Sequence, residues 1–299
     1  MAENRCDDKQ SCGDCGKSDV CDSKKKDDHE QGLLRQRMAS IKHKCMVMSG
    51  KGGVGKSTVA TNLAVTLAME GYRVGLMDAD IHGPNIPKMM GIEDEHPFAA
   101  AEGLAPIATP YGLKVMSIGF FLQSKDDAVI WRGPLKHNLI RQFLGDVDWG
   151  ELDFLIVDLP PGTGDEALSV AHLIKGVAGA IIVTTPQDVA LLDSRKAVTF
   201  ARHLGIPQVG IVENMSGFMC PHCGKSIDLF KKGGGEKAAR DMLVPFLGNI
   251  PLDPGMVECG DSGTPMVALA DPSAVKDAFK RIADNWIQLL EGQPRLLYK

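Results

Sequence analysis

A chain of 299 residues with a net charge of −5 carries no general electrostatic attraction to nucleic acid. No apolar run approaches the ~20 residues a membrane-spanning helix needs, and a domain of this size buries roughly 75% of its unfolded surface without disulfide support. Eight cysteines behind a charged start with no apolar secretory stretch point to a soluble protein of the reducing cytoplasm, where clustered thiols hold metal or do redox work.

Residues 1–32 are crowded with Asp, Lys, Glu, Ser and Gly and lack aromatics. Such a segment buries too little apolar surface to offset its ordering entropy and is expected to be disordered unless a ligand folds it. Cys6, Cys12, Cys15 and Cys21 stand there as C-x5-C-x2-C-x5-C. Four thiols on a flexible segment can wrap one metal centre; plain exposed thiols are the alternative. Residues 33–44 read as a short helix or linker, 45–292 as one domain, and 293–299 as a tail.

Apolar runs at 45–49, 74–77, 115–118, 154–157, 180–183, 208–212 and 246–250 alternate with helical patterns at 57–69, 135–144, 166–174 and 191–203. Apolar runs without alternation suit strands buried on both faces. The succession predicts an α/β fold, a mainly parallel sheet with helices on both faces. A last helical pattern at 273–290 carries Val275, Phe279, Ile282, Trp286 and Leu290 on one side. Docking on the sheet is the expectation. Lys276, Lys280 and Arg281 are offset by Asp277, Asp284 and Glu291, which leaves no basic face for a membrane surface.

Gly50-Lys51-Gly52-Gly53-Val54-Gly55-Lys56-Ser57-Thr58 fits the phosphate-binding pattern G-x-x-x-x-G-K-[ST] between the first strand and the first helical pattern. Backbone N–H groups of such a loop, backed by a helix N-terminus, suit the phosphates of a nucleoside triphosphate. Lys56 is expected to reach the β- and γ-phosphates, Ser57 to ligate Mg²⁺, and Thr58 to donate to the α-phosphate. Asp78-Ala79-Asp80 follows the second strand with two carboxylates at spacing two, one to help hold the metal and the other to orient a water. The apolar strand 154–157 ends in Asp158, a usual way to hold Mg²⁺ through water. Asp158-Leu159-Pro160-Pro161-Gly162-Thr163-Gly164-Asp165 then forms a stiff loop where a γ-phosphate can be sensed.

Cys220-Pro221-His222-Cys223-Gly224 lets two thiolates face one metal centre from a tight turn. A thioredoxin-like dithiol would open a helix, and this motif follows a strand by a loop. Zinc or a cubane cluster needs four ligands, and the same pair from a second chain at a two-fold axis completes the set. Cys45 reads as a core residue and Cys259 as a structural thiol.

Lys51 is unusual for a phosphate loop. The segment from Lys51 to Thr58 resembles the deviant P-loop of the dimeric ATPases that include MinD, ParA and the nitrogenase iron protein. Asp78-Ala79-Asp80-Ile81-His82-Gly83-Pro84-Asn85, Trp131-Arg132-Gly133-Pro134, the loop from Asp158 to Asp165, and Thr185-Pro186-Gln187-Asp188-Val189-Ala190 are similar to the Mrp/NBP35 branch of ATP-dependent iron–sulfur cluster carriers and scaffolds. The resemblance implies a slow ATP hydrolase, homodimeric, that passes clusters to apo acceptor proteins; the charge balance and the lack of a basic helix face imply neither a nucleic-acid nor a membrane partner. Lys51 would act across the dimer, Asp80 would position the attacking water, and Asp158 would support Mg²⁺. Asn214 would bond the adenine, with Pro251 and Asp253 nearby. A [4Fe–4S] cluster would bridge the subunits at Cys220 and Cys223, and the N-terminal cysteines resemble a second cluster site, with zinc as the alternative at either place. The first gap, from Cys6 to Cys12, is shorter than the branch's pattern. Two rivals share the ATPase core: a spatial organiser of the MinD/ParA kind, and an electron-transferring protein like the nitrogenase iron protein.

Overall fold

The computed structural model describes residues 23–100, 103–122, 133–220 and 222–292. Cys6, Cys12, Cys15 and Cys21 lie outside the described residues, as do Trp131 and Arg132 of the motif that continues into the fourth helix.

In chain order α1 (Ser23–Ala39) leads into β1 (Ile41–Ser49), α2 (Lys56–Met69), β2 (Val74–Asp78) and α3 (Ile86–Met89). The short strands β3 (Ala99–Ala100), β4 (Gly103–Leu104) and β5 (Ile107–Ala108) precede β6 (Lys114–Ser117) and α4 (Gly133–Gly145). Then follow β7 (Leu152–Asp158), α5 (Asp165–Leu173), β8 (Val177–Thr184), α6 (Asp188–His203) and β9 (Gln208–Glu213). A hairpin of β10 (Phe218–Met219) and β11 (Ser226–Ile227) comes before α7 (Gly234–Met242), β12 (Phe246–Asn249), α8 (Gly255–Ser262) and α9 (Ala274–Leu290).

Among the described residues eight strands form one sheet in the order β12-β9-β8-β1-β7-β2-β6-β5. Every pairing in it is parallel except β5 with β6. All five residues of β2 are buried, and successive side chains point to opposite faces, so helices must cover both sides. The α/β architecture expected from the alternating runs is the one observed. Parallel pairing also brings the carboxyl ends of β1, β2 and β7 to one edge, with Asp158 beside both Val47 and Asp78 in the register. Chemistry in open α/β sheets collects at that edge.

The periodic face of α9 packs inward: Val275, Phe279, Ile282 and Trp286 are completely buried. Its first turn is capped by Ser273, whose hydroxyl accepts from the Lys276 N–H.

Most boundaries differ from the sequence expectation by one to four residues, as where β8 starts at Val177 and α6 at Asp188, and two of the shifts have a visible cause. β1 starts at Ile41 rather than at residue 45, because Lys44 folds its charge inward: Nζ donates to the carbonyls of Met38 at 2.8 Å and Ile41 at 3.0 Å. The first of these caps the carboxyl end of α1. α1 runs across the expected boundary at 32/33, held by buried Leu33, Leu34 and Met38. The four residues of α3 and the β10–β11 hairpin are too short to show a period, and α7 and α8 open on glycine, which hides their starts.

Candidate functional site

The loop between β1 and α2 forms the floor of the site. Its first glycine is fixed by contact: a Cβ on Gly50 would stand 2.2 Å from the backbone carbonyl carbon of Asp193 in α6. Gly55 takes φ 80, and a Cβ there would meet Asn214 Nδ2 at 2.3 Å. α2 therefore begins at Lys56 with its first N–H groups directed into the loop, which is the geometry an anion needs. Lys51 lies half-exposed in the same loop.

Lys56, Ser57, Asp80 and Asp158 converge above this floor. Lys56 Nζ donates to Asp158 Oδ1 at 2.8 Å and reaches Asp80 Oδ2 at 3.4 Å. The Ser57 hydroxyl donates to Asp158 Oδ2 at 2.5 Å. Burial acts to lower the Lys56 pKa, but the Asp158 carboxylate, helped by Asp80 and Asp78, outweighs it and holds the ammonium above its ordinary value. The ammonium thus stands where cationic charge is required, among three carboxyl groups.

Asp78 is buried at the end of β2 and held there by three donors. Its side chain accepts from the Ser117 hydroxyl at 3.0 Å and from the backbone N–H groups of Asp80 at 3.1 Å and Ile86 at 3.4 Å. It is a structural anchor for the turn after β2, while Asp80 reaches the lysine. Burial and the Asp158 charge push the Asp78 carboxyl up to about 8.

Beside the loop opens a cleft of about 300 Å³. Asn214, Pro251 and Asp253 line it, together with Gly55 and Thr58 of the loop and helix α2. The Asn214 amide donates to the carbonyl of Val54 at 2.9 Å, so the side chain is tied to the phosphate loop. Asp253 Oδ1 accepts from the Gly255 N–H at 2.9 Å and sets the first turn of α8. Met89, Met215 and Met256 supply apolar, polarizable walls of the kind that suits a flat aromatic ring. These methionines come from α3, α8 and the loop after β9, and the sequence gives no signal that would gather them.

The cysteine motif sits at the tip of the β10–β11 hairpin. The turn is closed by Cys220 N–H to Lys225 O at 2.9 Å and Gly224 N–H to Cys220 O at 2.9 Å, with Gly224 at φ 66. The Cys220 sulfur accepts the backbone N–H groups of Cys223 and His222, which lowers its pKa below the ordinary thiol value. A sulfur so solvated by N–H donors is prepared to carry negative charge. Cys223 is exposed and Cys220 half-buried. Among the described residues no group of three or more His, Cys, Asp or Glu is arranged around a common point, so the tip offers two sulfurs. Cys45 is enclosed in β1, where burial pushes its thiol up to about 12, and Cys259 is buried in α8.

Among the described residues no helix is long and apolar enough to cross a membrane. A family model described as ParA, the NUBPL iron-transfer P-loop NTPases, matches residues 40–287. An iron-sulfur cluster carrier protein of Methanocaldococcus jannaschii is 51% identical over 98% of this chain and 99% of its own. The cytosolic Fe-S cluster assembly factor CFD1 of Kluyveromyces lactis is 46% identical over 84% of this chain and 93% of its own. Among solved structures, a nucleotide-binding protein from Archaeoglobus fulgidus in complex with ADP superposes with a TM-score of 0.71 at 43% identity, covering 79% of this chain and 92% of that one.

Proposed function

The chain belongs to the NUBPL iron-transfer family of ParA-type P-loop NTPases, and on that footing we propose that it is an ATP-dependent carrier of iron–sulfur clusters. The cluster is its cargo and ATP its second substrate. The observation that carries this reading is the pairing, in one chain, of a phosphate cradle with a two-sulfur tip whose Cys220 sulfur is held by backbone N–H donors.

Lys56, the N-terminus of α2 and the loop N–H groups receive the triphosphate, and the base enters the cleft between Asn214 and Pro251. Phosphate oxygens replace Asp158 as the partner of Lys56. The Ser57 hydroxyl and the Asp158 carboxylate, only 2.5 Å apart, are the hard oxygen donors that Mg²⁺ takes, so these residues fit the ion. When bound, Mg²⁺ neutralises charge on the phosphate oxygens. Asp80 orients the water that attacks the γ-phosphorus, and Lys51 of a second copy adds positive charge from across a homodimer.

Cys220 and Cys223 hold half of a [4Fe–4S] cluster, and the same pair in a second copy holds the other half. Cys6, Cys12, Cys15 and Cys21 bind a further metal centre. The acceptors are apo iron–sulfur proteins, and the compartment is the cytoplasm, consistent with four unpaired cysteines among the described residues. Zinc is the competing occupant of the sulfur sites.

Anaerobic loading with iron and sulfide, followed by transfer to an apo acceptor, tests the reading. Wild type is expected to take up a cluster with broad visible absorption and to transfer it faster with Mg-ATP. Lys56→Ala is expected to load normally and to lose the ATP effect. Transfer that is equally ATP-stimulated in Lys56→Ala, or a Cys220→Ala/Cys223→Ala protein with the same cluster content and transfer, would overturn it.

A further inference from the structure

The segment that leaves the nucleotide cleft is the same one that enters the sulfur tip. Asn214 is bonded to the phosphate loop, and Met215, which lines the cleft, takes the left-handed φ of 57. An unbranched residue held at positive φ marks a backbone position fixed by its surroundings. One residue further, the Ser216 N–H donates to Ile250 O at 2.9 Å, and the Leu252 N–H donates to Gly217 O at 2.8 Å. Phe218, the first residue of β10, pairs with Leu252 in a parallel bridge. The foot of the hairpin is therefore hydrogen-bonded along residues 250–252, two of which wall the cleft.

Both feet of this excursion are gripped by one side chain. Glu213 ends β9 and is fully buried. Its Oε1 accepts from the Ser216 hydroxyl at 2.5 Å on the outgoing segment and from the Gly233 N–H at 2.9 Å on the returning one. Its Oε2 accepts from the Gly235 N–H in the first turn of α7. The packing is close: a Cβ on Gly235 would lie 2.9 Å from the Glu213 Cβ. A carboxylate is an acceptor at both oxygens, and a helix N-terminus favours its charge.

We propose that Glu213 is a positioning residue that couples occupancy of the nucleotide cleft to the placement of Cys220 and Cys223. A base in the cleft meets Asn214 and Met215 and shifts the backbone that follows. With both feet clamped to one carboxylate, that shift moves the hairpin as a body. With one foot released, slack at that foot absorbs it. The assignment of the tip as a cluster site rests on the function proposed above, but the coupling is a property of the bare thiols and is measured without iron. Coupling is reciprocal at equilibrium, so a ligand bound reversibly at the tip changes nucleotide affinity by the same factor as nucleotide changes that ligand's affinity.

The test uses the full, iron-free chain. Alkylation rates at Cys220 and Cys223 are followed by peptide mass spectrometry, with and without a non-hydrolysable ATP analogue and Mg²⁺. Wild type is expected to show a nucleotide-dependent change of about fivefold or more, the lower end of ordinary coupling. In Glu213→Gln the amide N–H₂ faces the N–H of either Gly233 or Gly235, the returning foot loses one of its two bonds to this side chain, and the change shrinks to within about twofold of none. Nucleotide affinity in that variant stays within about threefold of wild type, which separates lost coupling from a lost site. Should Glu213→Gln fail to fold, Ser216→Ala removes the outgoing foot alone and is expected to reduce the ratio likewise. A full wild-type ratio in either folded variant, or no nucleotide effect in wild type, overturns the proposal. Cluster retention in iron-loaded Cys220→Ala/Cys223→Ala, with Cys6, Cys12, Cys15 and Cys21 also changed to Ser, would instead sink the cargo site and leave the coupling ratio standing.

Discussion

Cys220 shows how a few N–H groups change the chemistry of one atom. Two backbone donors, helped by the Cys223 thiol, stabilise the thiolate, so the pKa falls. The sign is simple: a lowered pKa means more thiolate at any given pH below the ordinary value. In the iron-free protein, iodoacetamide is therefore expected to modify Cys220 at lower pH than a model thiol peptide, whereas Cys45, with its thiol pushed up to about 12, stays inert across the same range. A Cys220 pH–rate profile that overlays the model peptide would contradict this. The same scale shows what residue patterns do and do not reveal. Lys56, Ser57 and Asp158 are marked by motif, and the fold brings them within hydrogen-bond reach. Asp78 shares a motif with Asp80, yet its partners, Ser117 and the Ile86 backbone, lie 39 and 8 residues away, beyond what the motif can show. Glu213 is hidden for the same reason, since its partner N–H groups sit 20 and 22 residues further on.

Elements buried on both faces were the easiest to read from sequence, because an unbroken apolar run leaves little else for β2, β7, β8 or β9 to be. The start of β1 was hidden by Lys42, His43 and Lys44, whose polar side chains obscure a strand that Lys44 completes by turning inward. The hairpin under the sulfur tip pairs only two residues on each side, too short for any period. Contact between elements also sets tolerance to substitution. Gly50 abuts the backbone of α6, which cannot yield as a flexible side chain would. Gly50→Ala is expected to destabilise the nucleotide-free protein by about 1–3 kcal/mol, the usual cost of overpacking. Gly52, two residues along the same loop, has nothing within 4 Å of its would-be Cβ. Gly52→Ala is expected to cost less than about 1 kcal/mol. Chemical denaturation of both variants checks the pair, and equal losses would show that the α6 contact does not govern the loop.

At the scale of the molecule, one sheet edge collects the phosphate loop, Asp80, Asp158 and the ribbon of residues 213–218 that leads to the sulfurs. The architecture followed from strand and helix alternation, and the nucleotide site from the loop motif at the end of β1. The tip's incompleteness was legible as well, in two cysteines where a cluster wants four ligands. The six-residue step from Asn214 to Cys220 is legible in the sequence too, but the hydrogen bonds between β9, the hairpin and residues 250–252 that brace it are not. The account stands on two copies completing one sulfur site. Its most direct test is native mass spectrometry of the full chain with Cys6, Cys12, Cys15 and Cys21 changed to Ser, loaded anaerobically with iron and sulfide. The prediction is a dimer holding about four irons per two chains, lost together with its iron in the further Cys220→Ala/Cys223→Ala variant. A monomer that carries the same cluster alone would contradict it.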